Sequence, residues 1–179
     1  MKGHIDYKQV TLLNVYRPPG NDIVFTKKIF DMIAEETDRV LICGGDWNIQ
    51  LQPPLVFSNV TKRINPETVT VKKLLLEAGM MDVWRELNPT AKQFTFFSHP
   101  HNVHSQIDYF FMFNSERHRI LKCQIGVKDI SDNAGVYLSL HLDTERKSTT
   151  WRLKTSVLND PLCKQCIHLQ VLYGMLLWQ

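Results

Sequence analysis

The alternation of apolar and polar positions predicts a series of short elements over the first 142 residues and a change of character beyond them. Val10 to Tyr16 (VTLLNVY) is an apolar run closed by Pro18-Pro19-Gly20, which predicts a buried strand running into a loop. From Phe25 to Glu36, Ile29, Phe30 and Ile33 share one side while Lys27, Lys28, Asp31 and Glu35 take the others, as in an amphipathic helix. Arg39 to Cys43 (RVLIC) is a second apolar run, stopped by Gly44-Gly45. Strand, helix and strand in this order predict a βαβ unit with parallel strands. Asp46 to Pro66 is polar and proline-interrupted, and is expected as a long surface loop of the kind that often carries function. Asn65-Pro66-Glu67 reads as a helix start, with Val71, Leu74, Leu75 and Ala78 at helical spacing and Gly79 as the C′ stop. Strand-like runs follow at Gln93 to Ser98, Ser105 to Phe113, Ile120 to Val127 and Val136 to Leu142. The last alternates, with Val136, Leu138 and Leu140 on one side and Tyr137, Ser139 and His141 on the other. No full-length helix separates these later runs, so antiparallel pairing is expected within a mixed α/β domain.

Past Leu142 the pattern changes. The expected organisation is a domain over 1–142, a polar linker over 143–161 and an apolar tail over 162–179. The tail holds Cys163-x-x-Cys166-x-His168, but a structural zinc site needs four protein ligands and no second pair accompanies it. His99, His101 and His104 form a second histidine-rich spacing without a cysteine or carboxylate to complete a shell, so exposed loop histidines are the plainer reading.

Composition narrows the classes without choosing among them. The chain has 179 residues, 44% hydrophobic and 22% charged, values ordinary for a soluble globular domain. A net charge of +3 permits a phosphate-bearing partner but is well short of announcing a nucleic-acid binder. Of four cysteines, Cys43 and Cys123 lie in apolar runs and read as buried thiols, which does not make a secreted disulfide framework. Met1 to Asp6 has no apolar signal segment and no stretch has the length of a membrane span, so an intracellular protein without a membrane partner is expected.

Four short segments carry candidate chemistry. Gly45-Asp46-Trp47-Asn48 directly follows a buried strand, where α/β sheets place ligand sites. An aspartate there can take a proton from an attacking water, and an asparagine two residues on can hold a phosphate oxygen without adding negative charge; Gly, Asp and Asn are also common turn residues. In Ser105-Gln106-Ile107-Asp108-Tyr109-Phe110 an aspartate sits in an apolar run, where it needs a partner or a metal unless it lies on an exposed edge. Ser131-Asp132-Asn133 precedes a strand, and Tyr16 ends one. Together they offer three carboxylates, an amide and a phenol, an inventory suited to a hard cation and an in-line phosphoryl displacement.

The order Asn14-Val15-Tyr16-x-Pro18, Gly45-Asp46-Trp47-Asn48, Ser105-x-Ile107-Asp108-Tyr109 and Ser131-Asp132-Asn133 resembles the endonuclease/exonuclease/phosphatase superfamily. More closely, it is similar to the apurinic/apyrimidinic (AP)-type endonuclease domain of LINE-type retrotransposon polyproteins. Phe94-Thr95-Phe96-Phe97-Ser98 strengthens that likeness, as does Ser148-Thr149-Thr150-Trp151-Arg152-Leu153, similar to the segment that follows the endonuclease. The resemblance covers roughly Val10 to Asp160 and implies the C-terminal half of a deoxyribonuclease I-like, four-layer α/β sandwich, two packed mixed sheets flanked by helices. By resemblance, Asp46 would activate or orient the attacking water, Asn48 would hold the scissile phosphate, and Tyr16 would contact it. Asp108 would orient a histidine at position 133, and Asp132 would help to hold Mg²⁺ (or Mn²⁺). Thr95, Ser105 and Ile107 would lie near a DNA-contacting surface, and Lys62 and Arg63 could touch backbone phosphates. DNA as partner and a nuclear location are implied in the same way.

Two departures from the pattern stand out. Position 133 is Asn, and an amide cannot exchange a proton near neutral pH as an imidazole does. Only Met1 to Gln9 precede the first recognised strand, so the family's early asparagine and metal-binding glutamate have no counterpart; Glu35 and Glu36 are poor replacements. A half domain implies an uncovered sheet face that a second copy or another partner would cover. The expected function is therefore Mg²⁺-dependent nicking of DNA, disabled by these departures. The alternatives are a non-catalytic, retrotransposon-derived fragment that binds DNA or protein, and a truncated product without a selected role.

Overall fold

The computed structural model describes residues 1–5, 7–20, 23–52, 65–99, 103–127 and 133–142. Arg63, Asp132, the histidine at 101, the linker 143–161 and the tail 162–179 with its Cys163 and Cys166 lie outside the described residues.

Nine strands and three helices appear among the described residues: β1 (Lys2–Ile5), β2 (Lys8–Tyr16), α1 (Ile23–Ala34), β3 (Val40–Asp46), α2 (Pro66–Glu77), β4 (Met80–Asp82), α3 (Val83–Leu87), β5 (Phe96–Ser98), β6 (Val103–Ser105), β7 (Asp108–Phe113), β8 (Ile120–Ile125) and β9 (Val136–Leu140), with a 3₁₀ turn at Asn114–Arg119. The main sheet runs β1-β2-β3-β7-β4. β2 and β3 are parallel, joined through α1 as the apolar pattern predicts, and the other pairings in the sheet are antiparallel. β5 pairs with β6, and β8 with β9, as separate antiparallel ribbons.

The period of two sorts the main sheet into two faces. Val15, Leu41, Cys43, Tyr109, Phe111 and Phe113 pack with Phe30 and Ile33 of α1 and Val71 and Leu75 of α2. Val10, Val40 and Met112 turn the other way, against Trp84 of α3 and Cys123 of β8, with Leu138 and Leu140 of β9 partly buried there. This second face is less completely covered: Leu12, Ile42 and Phe110 are only partly buried.

α2 begins where the sequence places it. The Asn65 side chain accepts from the Glu67 amide at 3.0 Å, Pro66 opens the first turn, and Gly79 follows the helix at φ +65°, a left-handed conformation that glycine adopts without strain.

Four expectations are corrected. Gly44-Gly45 does not stop β3 but lies within it, for reasons of close contact described below. The run Ser105 to Phe113 is two strands in different sheets, split at Gln106-Ile107. Over residues 47–52 the chain after Asp46 does not run over the surface, because Trp47, Ile49 and Leu51 are all buried in the helix-side core, while 53–64 lie outside the described residues. Finally, the strand recognised from Val10 is not the first: it starts at Lys8, and β1 precedes it as an edge strand antiparallel to β2.

Candidate active site

Strand parity and register assemble the site. Tyr16 is paired with Asp46 across the parallel β2–β3 ladder, and Asp46 with Asp108 across the antiparallel β3–β7 ladder. All three have the parity of Leu12, Ile42 and Phe110, so they stand in one row at the end of the less covered face. Adjacent strands lie about 4.8 Å apart, which puts the three side chains within reach of one small ligand. Tyr16 is 64% exposed, whereas Asp46 and Asp108 are partly buried.

The two glycines before Asp46 are there because nothing larger fits. A Cβ on Gly44 would stand 2.5 Å from the Phe110 ring, and one on Gly45 would stand 1.9 Å from the Val15 carbonyl oxygen, with φ at +144°. The neighbour of Gly45 is backbone and cannot swing aside. Gly45→Ala is therefore expected to destabilise the fold by about 3 kcal/mol through clash and backbone strain together. Urea denaturation checks this, and a loss near zero would contradict the close approach of β2 and β3.

Beyond β3 the chain makes a tight turn. Asn48 adopts φ +45°, a left-handed conformation in which Asn is enriched, and its amide N–H donates to Asp46 Oδ1 at 2.9 Å. Its Nδ2 donates to the Arg17 carbonyl at 2.8 Å, linking the turn to the end of β2. Trp47 is fully buried, edge-on to Phe111 with ring centroids 4.9 Å apart. Tyr109, on the core face of β7, shares its one hydroxyl proton between the Gln106 carbonyl at 2.7 Å and the Ile49 carbonyl at 3.1 Å, and accepts from the Leu51 amide at 3.1 Å. One phenol thus ties the segment after Asn48 to the segment before Asp108.

Thr95, Ser105 and Ile107, expected near a DNA-contacting surface, are buried instead. The Thr95 hydroxyl accepts from the amides of Ile107 at 3.0 Å and Asp108 at 3.2 Å, so it braces the break between β6 and β7 and aims Asp108. Its backbone bonds the Ser105 carbonyl and accepts from Ala134, next to Asn133. A bridge between Phe96 and Asn133 brings residue 133 to this corner. His99 and His104 both pack on the Phe97 ring, at 4.7 and 4.5 Å. Glu36 accepts from Thr11 at 2.7 Å and pairs with Lys2, well down β2 from Tyr16, so it is not a site ligand.

Burial pushes the Asp46 carboxyl above its ordinary range, while hydrogen bonds from Asn48 pull it back. Asp108 is pushed up to about 7, by burial first and by the charge of Asp46 second, against a bond from Thr95. Its Oδ2 is buried without a hydrogen-bond partner. Two partly dehydrated carboxylates facing each other are relieved by a cation between them, and a hard divalent ion needs only one or two carboxylates when water and phosphate oxygens complete its shell. Among the described residues, Asp46 and Asp108 are the paired carboxylates that such an ion would meet. No group of three or more His, Cys, Asp or Glu side chains able to hold a metal occurs among the described residues.

Sequence reasoning did not single out Arg17, Glu67, Gln106 or Tyr109 as parts of the site. The visible signal was a charged residue wedged between an apolar strand and Pro18, and a second in the first turn of the next helix.

No protein-family model matches the chain. In sequence it is 28% identical over 155 residues to the Transposon TX1 uncharacterized 149 kDa protein of Xenopus laevis, an alignment that covers 83% of this chain and 12% of that protein. In structure it is similar to an AP endonuclease from Archaeoglobus fulgidus, with TM-score 0.62 and 16% identity over 74% of this chain and 62% of the other. It is also similar to the AP endonuclease LMAP from Leishmania major, with TM-score 0.66 and 17% identity over 78% and 52% of the two chains. A third similar structure is the 3′ phosphatase NExo from Neisseria bound to product DNA hairpin, with TM-score 0.56 and 17% identity over 73% and 61%. The chain thus spans a little over half the length of these solved structures and a small part of the transposon protein. No described helix is long and apolar enough to cross a membrane. The chain has a mixed α/β, deoxyribonuclease I-like fold similar to that of these AP endonucleases over part of their length, and is similar in sequence to a transposon protein.

Proposed function

We propose that this chain carries the phosphodiester-hydrolysing site of a metal-dependent DNA endonuclease of retrotransposon type, and that Asn133 leaves the site catalytically crippled. The observation that carries the reading is the row Tyr16–Asp46–Asp108 across three strands, with the Asn48 turn beside it. Asp46 takes the proton of the attacking water. The Asn48 amide holds a phosphate oxygen without adding charge, and the exposed Tyr16 hydroxyl reaches the same phosphate from the solvent side. When bound, Mg²⁺ (or Mn²⁺) supplies neutralisation of the charge that develops on the phosphate oxygens. Asp108 would orient an imidazole at position 133; with Asn there, that imidazole is missing. Losing a positioned acid or base lowers rates by roughly 10²–10⁴. Asp132 as a metal ligand and Arg63 as a phosphate contact belong to this proposal as expectations.

The residue at 133 also favours a second reading, a non-catalytic fragment that binds DNA. Both predict folded protein whose affinity for duplex DNA falls steeply with salt, because phosphate contacts dominate such binding. Supercoiled-plasmid nicking in Mg²⁺, beside Asp46→Ala and EDTA controls, separates them. The expected result is nicking barely above the Asp46→Ala control. Strong nicking abolished by both controls would show that the site works without a histidine at 133. Absence of any DNA affinity would remove DNA as the substrate.

A further inference from the structure

The turn bearing Asp46 and Asn48 is gripped by a buried guanidinium. Arg17 follows Tyr16 and is 0% exposed. A charge so placed is costly unless paired and hydrogen-bonded. Arg17 Nε donates to Thr26 Oγ1 of α1 at 3.0 Å, Nη2 to the Gly20 carbonyl at 2.8 Å, and Nη1 to the Trp47 carbonyl at 3.3 Å. Its counter-ion is the buried Glu67 carboxylate in the first turn of α2. The backbone of the same residue completes the grip: its N–H donates to the Asp46 carbonyl at 2.8 Å, and its carbonyl accepts from Asn48 Nδ2 at 2.8 Å. Thr68, next to Glu67, donates from Oγ1 to the Gln50 carbonyl at 3.0 Å.

We propose that Arg17, with Glu67 as its counter-ion, is the positioning residue of this site. Its fork joins the loop after Tyr16, the Asp46–Asn48 turn and both flanking helices into one rigid unit. Tyr16, Asp46 and Asn48 come from two separate segments of chain, and their mutual placement rests on this guanidinium rather than on the sheet ladder alone, which ends at Asp46. A lysine would keep the charge opposite Glu67, but a single ammonium cannot reproduce the fork that reaches Thr26, Gly20 and Trp47 together. The consequence for DNA rests on the nuclease reading; the consequence for the turn does not.

Hydrogen–deuterium exchange read by mass spectrometry tests it on the full chain, comparing Arg17→Lys and Glu67→Gln with the parent. Val83→Ala, in the core on the opposite face of the sheet, is the control for general destabilisation. Arg17→Lys is expected to exchange about tenfold faster over 46–51, with the β8–β9 ribbon unchanged. Val83→Ala should leave 46–51 as in the parent. Unchanged exchange over 46–51, or acceleration everywhere alike, overturns the proposal. If Arg17→Lys does not fold, Glu67→Gln, which keeps a hydrogen-bond acceptor, should show the same selective loosening to a smaller degree, and its absence counts equally against the idea. Binding of a short duplex oligonucleotide in Mg²⁺ is read in parallel. A parent that binds none defeats the nuclease reading while the exchange result still decides the role of Arg17. Where the parent binds, Arg17→Lys should weaken binding about tenfold and Val83→Ala should not. A loosened turn with undiminished binding would overturn the positioning role.

Discussion

Replacing Asn133 by His should raise plasmid nicking in Mg²⁺ by roughly 10²–10⁴ over the unsubstituted chain, the range that a positioned acid or base contributes. The substitution is expected to be accommodated, because residue 133 is only partly buried and is held by backbone contacts. It bridges to Phe96, and the neighbouring Ala134 donates to the Thr95 carbonyl. Thr95 also receives the Asp108 amide, so a new imidazole would enter the corner where a buried carboxylate is already aimed. That carboxylate would favour the imidazolium form and restore a proton donor near neutral pH. The gain should vanish in the Asn133→His, Asp46→Ala double variant and in EDTA. A folded Asn133→His protein that nicks no better than its parent would mean that the imidazole is not what the site lacks.

Stability should fall as pH rises from about 4 to 7 in metal-free buffer, and Asp108→Asn should remove most of the fall near neutrality. The Asp108 carboxyl goes from an ordinary 3.8 to about 7 in the fold. Between those values the folded chain keeps a proton that the unfolded chain has released. The folded state is therefore favoured fully below the lower value, and that advantage is lost as pH rises through the upper one. At about 1.4 kcal/mol for each pH unit, the whole effect is on the order of 4 kcal/mol. Asp82, pushed to about 6 mainly by burial, adds to the same slope at lower pH, so the Asp108→Asn variant should retain that part. Urea denaturation at several pH values with a chelator present measures both. A parent whose stability is flat or rising across this window, or a variant with an undiminished slope, would show that Asp108 is not held protonated. Added Mg²⁺ should recover stability at pH 8 if the carboxylate pair binds it, since a ligand of the folded state alone stabilises that state.

Two tertiary contacts explain why some local readings failed. Gly44-Gly45 looks like a terminator because glycine and turns go together in sequence. In the fold it is strand, because the Phe110 ring covers one residue and the Val15 carbonyl crowds the other. Ser105 to Phe113 looks continuous because its apolar content is continuous. It breaks because the Thr95 hydroxyl takes two amides that a single strand would have offered to a neighbour.

The sequence by itself determined the βαβ unit, the capped start and glycine stop of α2, and the order of the four motifs. These depend on period, capping chemistry and residue type, all local in the chain. It also shows an amide at position 133, a group without a titratable proton near neutral pH wherever it lies. Only the tertiary structure decided that Tyr16, Asp46 and Asp108 form one row, because register between strands is set by pairing partners distant in sequence. It likewise decided that Thr95 is an internal brace and that Arg17 and Glu67 are a buried pair. Burial of a charge depends on what packs over it, and nothing in the local sequence of either residue specifies the other.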